Sequence, residues 1–80
     1  MIERSFEKRL ETATELLARE VILRTGIQDT EIMRLLLESE LYALMEDESL
    51  AIWSMNPLHL ADAFDYERKN GNLRDFPFYS

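Results

Sequence analysis

The sequence predicts a small all-α protein, a helical bundle that forms a single domain over residues 1–80. Gly and Pro occur only twice each among the 80 residues, and the helix-favouring residues Leu, Glu, Ala and Arg are plentiful. Apolar residues recur at helical spacing along most of the chain. Hydrophobic residues make up 46% and charged residues 31% of the sequence, which is typical of a folded globular domain with one core.

The first predicted helix covers residues 3–25. Its apolar residues recur every three or four positions and form one face: Phe6, Leu10, Ala13, Leu17 and Val21. Gly26 follows the last turn, where a glycine can adopt the left-handed backbone that ends a helix. Two alternatives stay open. The β-branched pair Val21-Ile22 permits a short strand, and the apolar face could pair with a second copy as a coiled coil.

The second predicted helix covers residues 30–46 and begins after a cap at Asp29 or Thr30. On a helical wheel one wide apolar face faces the core: Ile32, Met33, Leu36, Leu37, Leu41, Ala43 and Leu44. Leu35 and Tyr42 point to another side, where a second helix or a partner could cover them. Glu40 lies within the wide face, so it either reaches solvent at the edge of that face or forms a buried or interfacial pair.

Two further helices follow a cluster of three acids at 46–48. A short helix over residues 49–55 is predicted, because acids suit the N-terminus of a new helix better than the C-terminus of the preceding one. The last main helix covers residues 57–69. Asn56-Pro57 is a helix-start signal and Gly71 can end the helix. Asn70-Gly71 also fits a tight hairpin turn, which is the competing interpretation.

The C-terminal segment is rich in aromatic residues. Phe76, Phe78 and Tyr79 surround Pro77, which prevents a helix there. These side chains either pack on their own domain or act as anchors for a partner, because aromatic residues are enriched at the energetic centres of interfaces.

The net charge of −7 is unevenly distributed. Residues 1–24 hold five acids and five bases, whereas residues 29–67 hold ten acids and Arg34 as the single base. Direct binding to nucleic-acid phosphates requires a basic surface and is therefore disfavoured. A basic surface of another protein is the more favourable partner.

The cellular setting is predicted from three features. The chain has no cysteine, so no disulfide or thiolate metal site is expected and a reducing compartment suits it. Residues 1–11 are charged where a signal peptide would be apolar. No apolar run approaches the roughly 18 residues of a membrane span. A cytoplasmic protein without membrane contact is expected.

Candidate chemistry is sparse. His59 and Asp62 share a helix face at a spacing that can bind a metal, but one histidine with scattered acids is a weak signal and a surface pair is the simpler interpretation. There is no cysteine nucleophile, no serine in a strand–turn–helix setting and no glycine-rich phosphate loop. We therefore expect no enzyme activity, cofactor or metal.

The sequence favours a non-catalytic protein-binding module. We expect an adaptor or inhibitor that docks an apolar patch rimmed by acids on a basic surface of a larger protein, by analogy with small accessory proteins of phages and plasmids. The candidate binding residues are Leu35, Tyr42, Trp53, Phe76, Phe78 and Tyr79. The candidate acidic surface is Glu38, Glu46, Asp47, Glu48, Asp62, Asp65 and Glu67. Two alternatives stay open, a DNA mimic formed by these acids and a homodimeric structural subunit.

Overall fold

The computed structural model describes residues 2–78, with side chains from residue 5 onwards. The helices in this range are α1 (Ile2–Thr25), α2 (Asp29–Leu37), α3 (Glu40–Met45) and α4 (Pro57–Asn70), and two 3₁₀ turns cover Glu48–Leu50 and Ile52–Ser54. No strand occurs between residues 2 and 78. The predicted small all-α bundle is confirmed, and neither of the strand alternatives forms.

The first and last helices have the ends that the sequence predicts. Gly26 has a φ of 76°, and its N–H donates to the carbonyl of Ile22 at 2.8 Å. Asn56 caps α4, since its side-chain oxygen accepts from the N–H of Leu58 at 2.8 Å. Gly71 ends α4 with a φ of 83°. Glycine has no Cβ to penalise the left-handed backbone, so both C-terminal caps form without strain.

The region predicted as one helix over residues 30–46 is divided in two. Ser39 has extended backbone, and its hydroxyl accepts from the N–H of Tyr42 at 3.1 Å. Glu67 of α4 supplies a second cap, because its two carboxylate oxygens accept from the N–H groups of Glu40 at 2.7 Å and Leu41 at 3.0 Å. The first N–H groups of a helix have no partner within it. Here a local serine and a distant carboxylate bind them, which makes a new helix start favourable.

The break changes which residues face the core. The buried apolar residues are Leu17, Ala18, Val21, Ile32, Leu36, Leu41, Met45, Ile52, Leu60, Ala61, Ala63, Phe64 and Leu73. Met45 is fully buried although the wheel of a continuous helix places it outside the core face. Leu37, which that wheel places in the core, is 54% exposed. Because α3 begins after Ser39 with its own orientation, the residues of α2 and α3 cannot be placed on one helical wheel at 100° per residue.

Glu40 bonds to the C-terminal segment. Its carboxylate accepts from the N–H of Leu73 at 2.9 Å, and the residue itself is exposed. The expectation that Glu40 lies at the edge of the packed face therefore agrees with the structure, and its partner is a backbone group. Together with the Glu67 carboxylate, this bond connects α3, α4 and the segment after α4.

The segment over residues 49–55 differs from the predicted short helix. It consists of the two 3₁₀ turns, which meet at Ala51, and Ala51 has left-handed backbone with a φ of 59°. An L-residue in this conformation places its Cβ close to the following carbonyl oxygen and costs roughly 1–2 kcal/mol. The chain therefore turns sharply at a residue whose side chain opposes that turn.

Replacing Ala51 with glycine is expected to raise the free energy of unfolding by about 1 kcal/mol, because glycine adopts positive φ without this clash. Thermal unfolding followed by circular dichroism should show an increase in Tm of about 4 °C or more. Ala43→Gly is the matched control, since Ala43 is exposed within α3. That variant should be destabilised by about 0.5–1 kcal/mol. A lower Tm for Ala51→Gly would contradict the left-handed conformation.

Arg24 joins the end of α1 to α4. Its guanidinium donates to Asp62 at 2.8 Å, to Asp65 at 3.0 Å and to Glu20 at 3.1 Å. The hydrogen bond with Asp62, followed by that with Glu20, raises the pKa of Arg24 above its usual value. The pairs are partly exposed, so solvent screening keeps their contribution to stability small. Their effect is to fix the relative position of the two helices.

Candidate functional site

An open groove lies between α1, α2 and α3, with a volume of about 680 Å³. Five apolar or aromatic residues contribute to its lining: Phe6, Leu10, Met33, Leu37 and Tyr42. Five glutamates contribute as well: Glu7, Glu11, Glu15, Glu46 and Glu48. No Lys or Arg is among the described residues that line it. We call this feature the acidic groove.

The apolar part of the acidic groove results from the break between α2 and α3. Met33 is 36% and Leu37 is 54% exposed, although both belong to the apolar side of α2. The chain changes direction after Leu37, so the residues that follow cannot cover these two side chains. An apolar surface of this kind, bordered by polar residues, is typical of a protein-interaction site.

The acids on α1 form a regular row. Glu7, Glu11 and Glu15 are spaced four residues apart, so one carboxylate occurs per turn at intervals of about 6 Å. All three residues are exposed, and none of them forms an ion pair within the described residues. Their negative charge is therefore available to a partner. Glu46 and Glu48, near the end of α3, add two further carboxylates to the lining.

Tyr42 contributes an aromatic ring with a polar hydroxyl to the acidic groove. Burial raises the pKa of its phenol, and the charge of Glu46 raises it further. The hydroxyl therefore stays protonated at neutral pH and can donate a hydrogen bond. A half-buried tyrosine of this type supplies both apolar contact area and a directed polar contact.

The structure separates the six predicted binding residues. Tyr42 lines the acidic groove, whereas Leu35 is half-buried and packs against the core. Trp53 lies next to α1, with its ring edge-on to Phe6 at 5.4 Å between centroids. Phe76 and Phe78 contact their own domain, and Tyr79 lies outside the described residues. A role for these residues in partner binding stays a prediction.

Phe76 and Phe78 of the C-terminal segment pack on α4. The ring of Phe76 lies 5.2 Å from that of His59 and 5.5 Å from that of Tyr66, and Phe78 lies 4.9 Å from Phe76. His59 thus contacts aromatic rings, while Asp62 binds Arg24. No group of three or more His, Cys, Asp or Glu residues that could bind a metal is found among the described residues.

The seven predicted surface acids have different surroundings. Glu46 and Glu48 line the acidic groove. The others have partners on their own chain: Glu38 pairs with Arg34, Asp47 accepts from Ser49, Asp62 and Asp65 bind Arg24, and Glu67 caps α3. Arg34 also pairs with Glu31, which is the main cause of its raised pKa. Therefore only part of the predicted acidic surface is without an ion-pair or hydrogen-bond partner for its carboxylates among the described residues.

Sequence reasoning missed most of the acidic groove, namely Glu7, Glu11, Glu15, Met33 and Leu37. Residues 1–24 have equal numbers of acids and bases, and this zero balance concealed the row of glutamates. The four-residue spacing of the three acids was the signal that could have revealed it. The exposure of Met33 and Leu37 depends on the break after α2, which the apolar pattern did not indicate.

Comparison of the chain with protein-family models, with curated proteins and with solved structures finds no match. Among the described residues, no helix combines the length and the apolar character that crossing a membrane requires. The function must therefore be inferred from the chemistry of the acidic groove.

Proposed function

We propose that this chain is a small non-catalytic protein-binding module, an adaptor or inhibitor, whose acidic groove binds a basic and apolar segment of a larger protein. The observation that supports the proposal is the composition of the groove. Five glutamates accompany an exposed apolar surface, and no base lies among the described lining residues. A cytoplasmic location is part of the proposal, because a chain without cysteine suits a reducing compartment.

The two parts of the acidic groove serve different aspects of binding. Burying Met33 and Leu37 supplies affinity, at about 25 cal/mol for each Å² of apolar surface removed from water. The carboxylates select a partner with Lys or Arg beside its apolar residues and accelerate the encounter. Neither part is sufficient alone, because exposed charges contribute little affinity and an apolar surface alone discriminates poorly.

The row of acids on α1 favours a helical partner segment. Glu7, Glu11 and Glu15 span about 12 Å along the helix axis. A partner helix that lies along α1 presents residues four apart at the same interval, so Lys or Arg at such positions can approach each carboxylate in turn. Apolar residues on the adjacent face of that helix would contact Met33 and Leu37. Binding of an amphipathic helix in a groove is a common mode of peptide recognition.

The test is titration of the protein with a synthetic cationic amphipathic peptide of about 18 residues, which is about 27 Å long as a helix. Isothermal calorimetry should show binding to the wild type, whereas a peptide with glutamate in place of each lysine should not bind. Leu37→Lys should weaken binding at least about tenfold, because it places a charge in the apolar surface and repels the peptide. Leu58→Lys is the matched control, since Leu58 is 53% exposed and lies on α4 outside the groove.

Equal affinities for Leu37→Lys and Leu58→Lys would contradict the proposal. Salt dependence separates it from DNA mimicry by the acids. Apolar contact retains much of its affinity in high salt, whereas a phosphate-like array of charges loses affinity steeply. Binding that survives both lysine substitutions and disappears in high salt would favour the mimic.

A further inference from the structure

The outer face of α1 exposes two leucines that neither the core nor the acidic groove uses. Leu16 is 41% and Leu23 is 81% exposed, and Leu23 is the most exposed large hydrophobic residue among those described. They are seven residues apart, so they lie two turns apart along the same side of the helix, about 10.5 Å from one another. This side differs from the face of Leu17 and Val21, which packs in the core.

A second, shallow groove adjoins this face, with a volume of about 490 Å³. Its lining includes Leu16, Met55, Pro57 and the half-buried Trp53. Two bases, Lys8 and Arg9, also line it, and no acid is among its described lining residues. The guanidinium of Arg9 lies over the ring of Trp53 at 6.0 Å. We call this feature the tryptophan groove.

We propose that a second copy of this chain binds the outer face of α1. The two α1 helices run antiparallel, with Leu16 at the two-fold axis, and the Leu23 side chain of each copy enters the tryptophan groove of the other copy. Leu23 follows Leu16 by seven residues, and Arg9 precedes it by seven. In an antiparallel pair, Leu23 of one copy therefore lies level with Arg9 of the other, about 10.5 Å from the axis. There it contacts the wall formed by Lys8, Arg9 and Thr12, in the manner of a knob entering a hole.

Charge favours the antiparallel direction. A parallel pair would place Lys8, Arg9 and Arg19 against their own copies, so like charges would face one another. In the antiparallel pair Arg9 lies within one turn of Glu20 of the other copy. Arg9 forms no ion pair within the described residues of a single chain. The pairing thus supplies an ion-pair partner for Arg9.

The proposed dimer adds to the proposed function. The row of acids on α1 faces away from the outer face, so each copy keeps its acidic groove open and the dimer presents two such grooves. Two binding sites on one particle can raise the overall affinity for a partner with repeated basic segments without any additional contact.

Sedimentation equilibrium over about 1 µM to about 1 mM tests the pairing. The wild type should pass from monomer to dimer. Leu23→Lys should raise the dissociation constant at least about tenfold, because the lysine meets Lys8 and Arg9 of the other copy. Leu37→Lys has the same change in charge and should dimerise like the wild type. Circular dichroism should show equal helical content, since both leucines are exposed.

The same two variants distinguish the pairing from the proposed function. Leu23→Lys should bind the cationic peptide like the wild type, whereas Leu37→Lys should not. A wild type that remains monomeric over the whole concentration range would overturn the proposed dimer. It would favour a different protein as the partner of the outer face. Equal dissociation constants for the two variants would also overturn it.

Disulfide trapping tests the direction, since the chain has no cysteine of its own. Leu16→Cys should form a covalent dimer on mild oxidation, because the two copies of residue 16 meet at the axis. Leu23→Cys should not, because its two copies lie about 21 Å apart, far beyond the reach of a disulfide. Efficient linking of both variants would indicate parallel helices and overturn the arrangement.

Discussion

Replacing Met45 with alanine is expected to lower the free energy of unfolding by about 2–5 kcal/mol, the usual cost of a large cavity in a core. Met45 is fully buried at the end of α3 and belongs to the core cluster. A domain of this length has a total stability of about 4–12 kcal/mol, so the substitution removes a large part of it. Urea unfolding followed by circular dichroism should show a clear decrease in the midpoint concentration.

Leu37→Ala is the control for this prediction. Leu37 is 54% exposed, so its truncation should cost less than about 1 kcal/mol. The pair of variants tests the break between α2 and α3, because a continuous helix over residues 30–46 would place Leu37 in the core and Met45 outside it. A greater loss for Leu37→Ala than for Met45→Ala would show that the helix is unbroken.

The second large effect is expected at Glu67. Glu67→Gln should cost about 1–3 kcal/mol, since hydrogen bonds to charged groups are among the stronger ones and a neutral amide has a single acceptor oxygen. In the wild type the Glu67 carboxylate accepts hydrogen bonds from the backbone N–H groups of both Glu40 and Leu41. The substitution leaves at least one of these N–H groups without its partner and removes a negative charge from the N-terminus of α3.

Glu11→Gln controls for the change in net charge, because Glu11 is exposed and forms no ion pair within the described residues. Its unfolding free energy should stay within about 0.5 kcal/mol of the wild type. The free energies of unfolding of Glu67→Gln and Glu11→Gln are compared by chemical unfolding in the same buffer. Equal stabilities would mean that the Glu67 carboxylate does not cap α3.

The helices with local signals were predictable from the sequence. α1 has a regular apolar period and ends before Gly26, and α4 begins at Pro57 after the Asn56 cap and ends before Gly71. In each case the groups that start or end the helix lie within a few residues of the boundary. Such boundaries require no knowledge of the tertiary structure.

The division of residues 30–46 was not predictable in the same way. Ser39 provides a local cap, but serine also occurs within helices and the apolar pattern continues across it. The second cap comes from Glu67, which is 27 positions from Glu40. A sequence pattern does not reveal a contact of this range. The burial of Met45 and the exposure of Leu37 follow from the break, so both assignments failed for the same reason.

The general character of the candidate site was predicted, but most of its residues were not. An apolar patch with an acidic border was expected, and Tyr42, Glu46 and Glu48 do line the acidic groove. The three glutamates of α1 were overlooked because the bases of the same helix cancel their charge in the total for residues 1–24. Net charge over a segment does not resolve the faces of a helix, whereas position on the helical wheel does.

The Glu67 carboxylate also has a consequence for the order of folding. A helix of six residues is far shorter than the roughly 12–15 that an isolated helix needs to persist in water, so α3 depends on the parts of the molecule that bind its ends. α1, with 24 residues, can form from local contacts alone. We therefore expect α3 to become stable only after α4 has docked, and the acidic groove, which needs α3 as a wall, to be completed last. Although α4 contributes no described residue to the groove lining, it determines when the acidic groove forms.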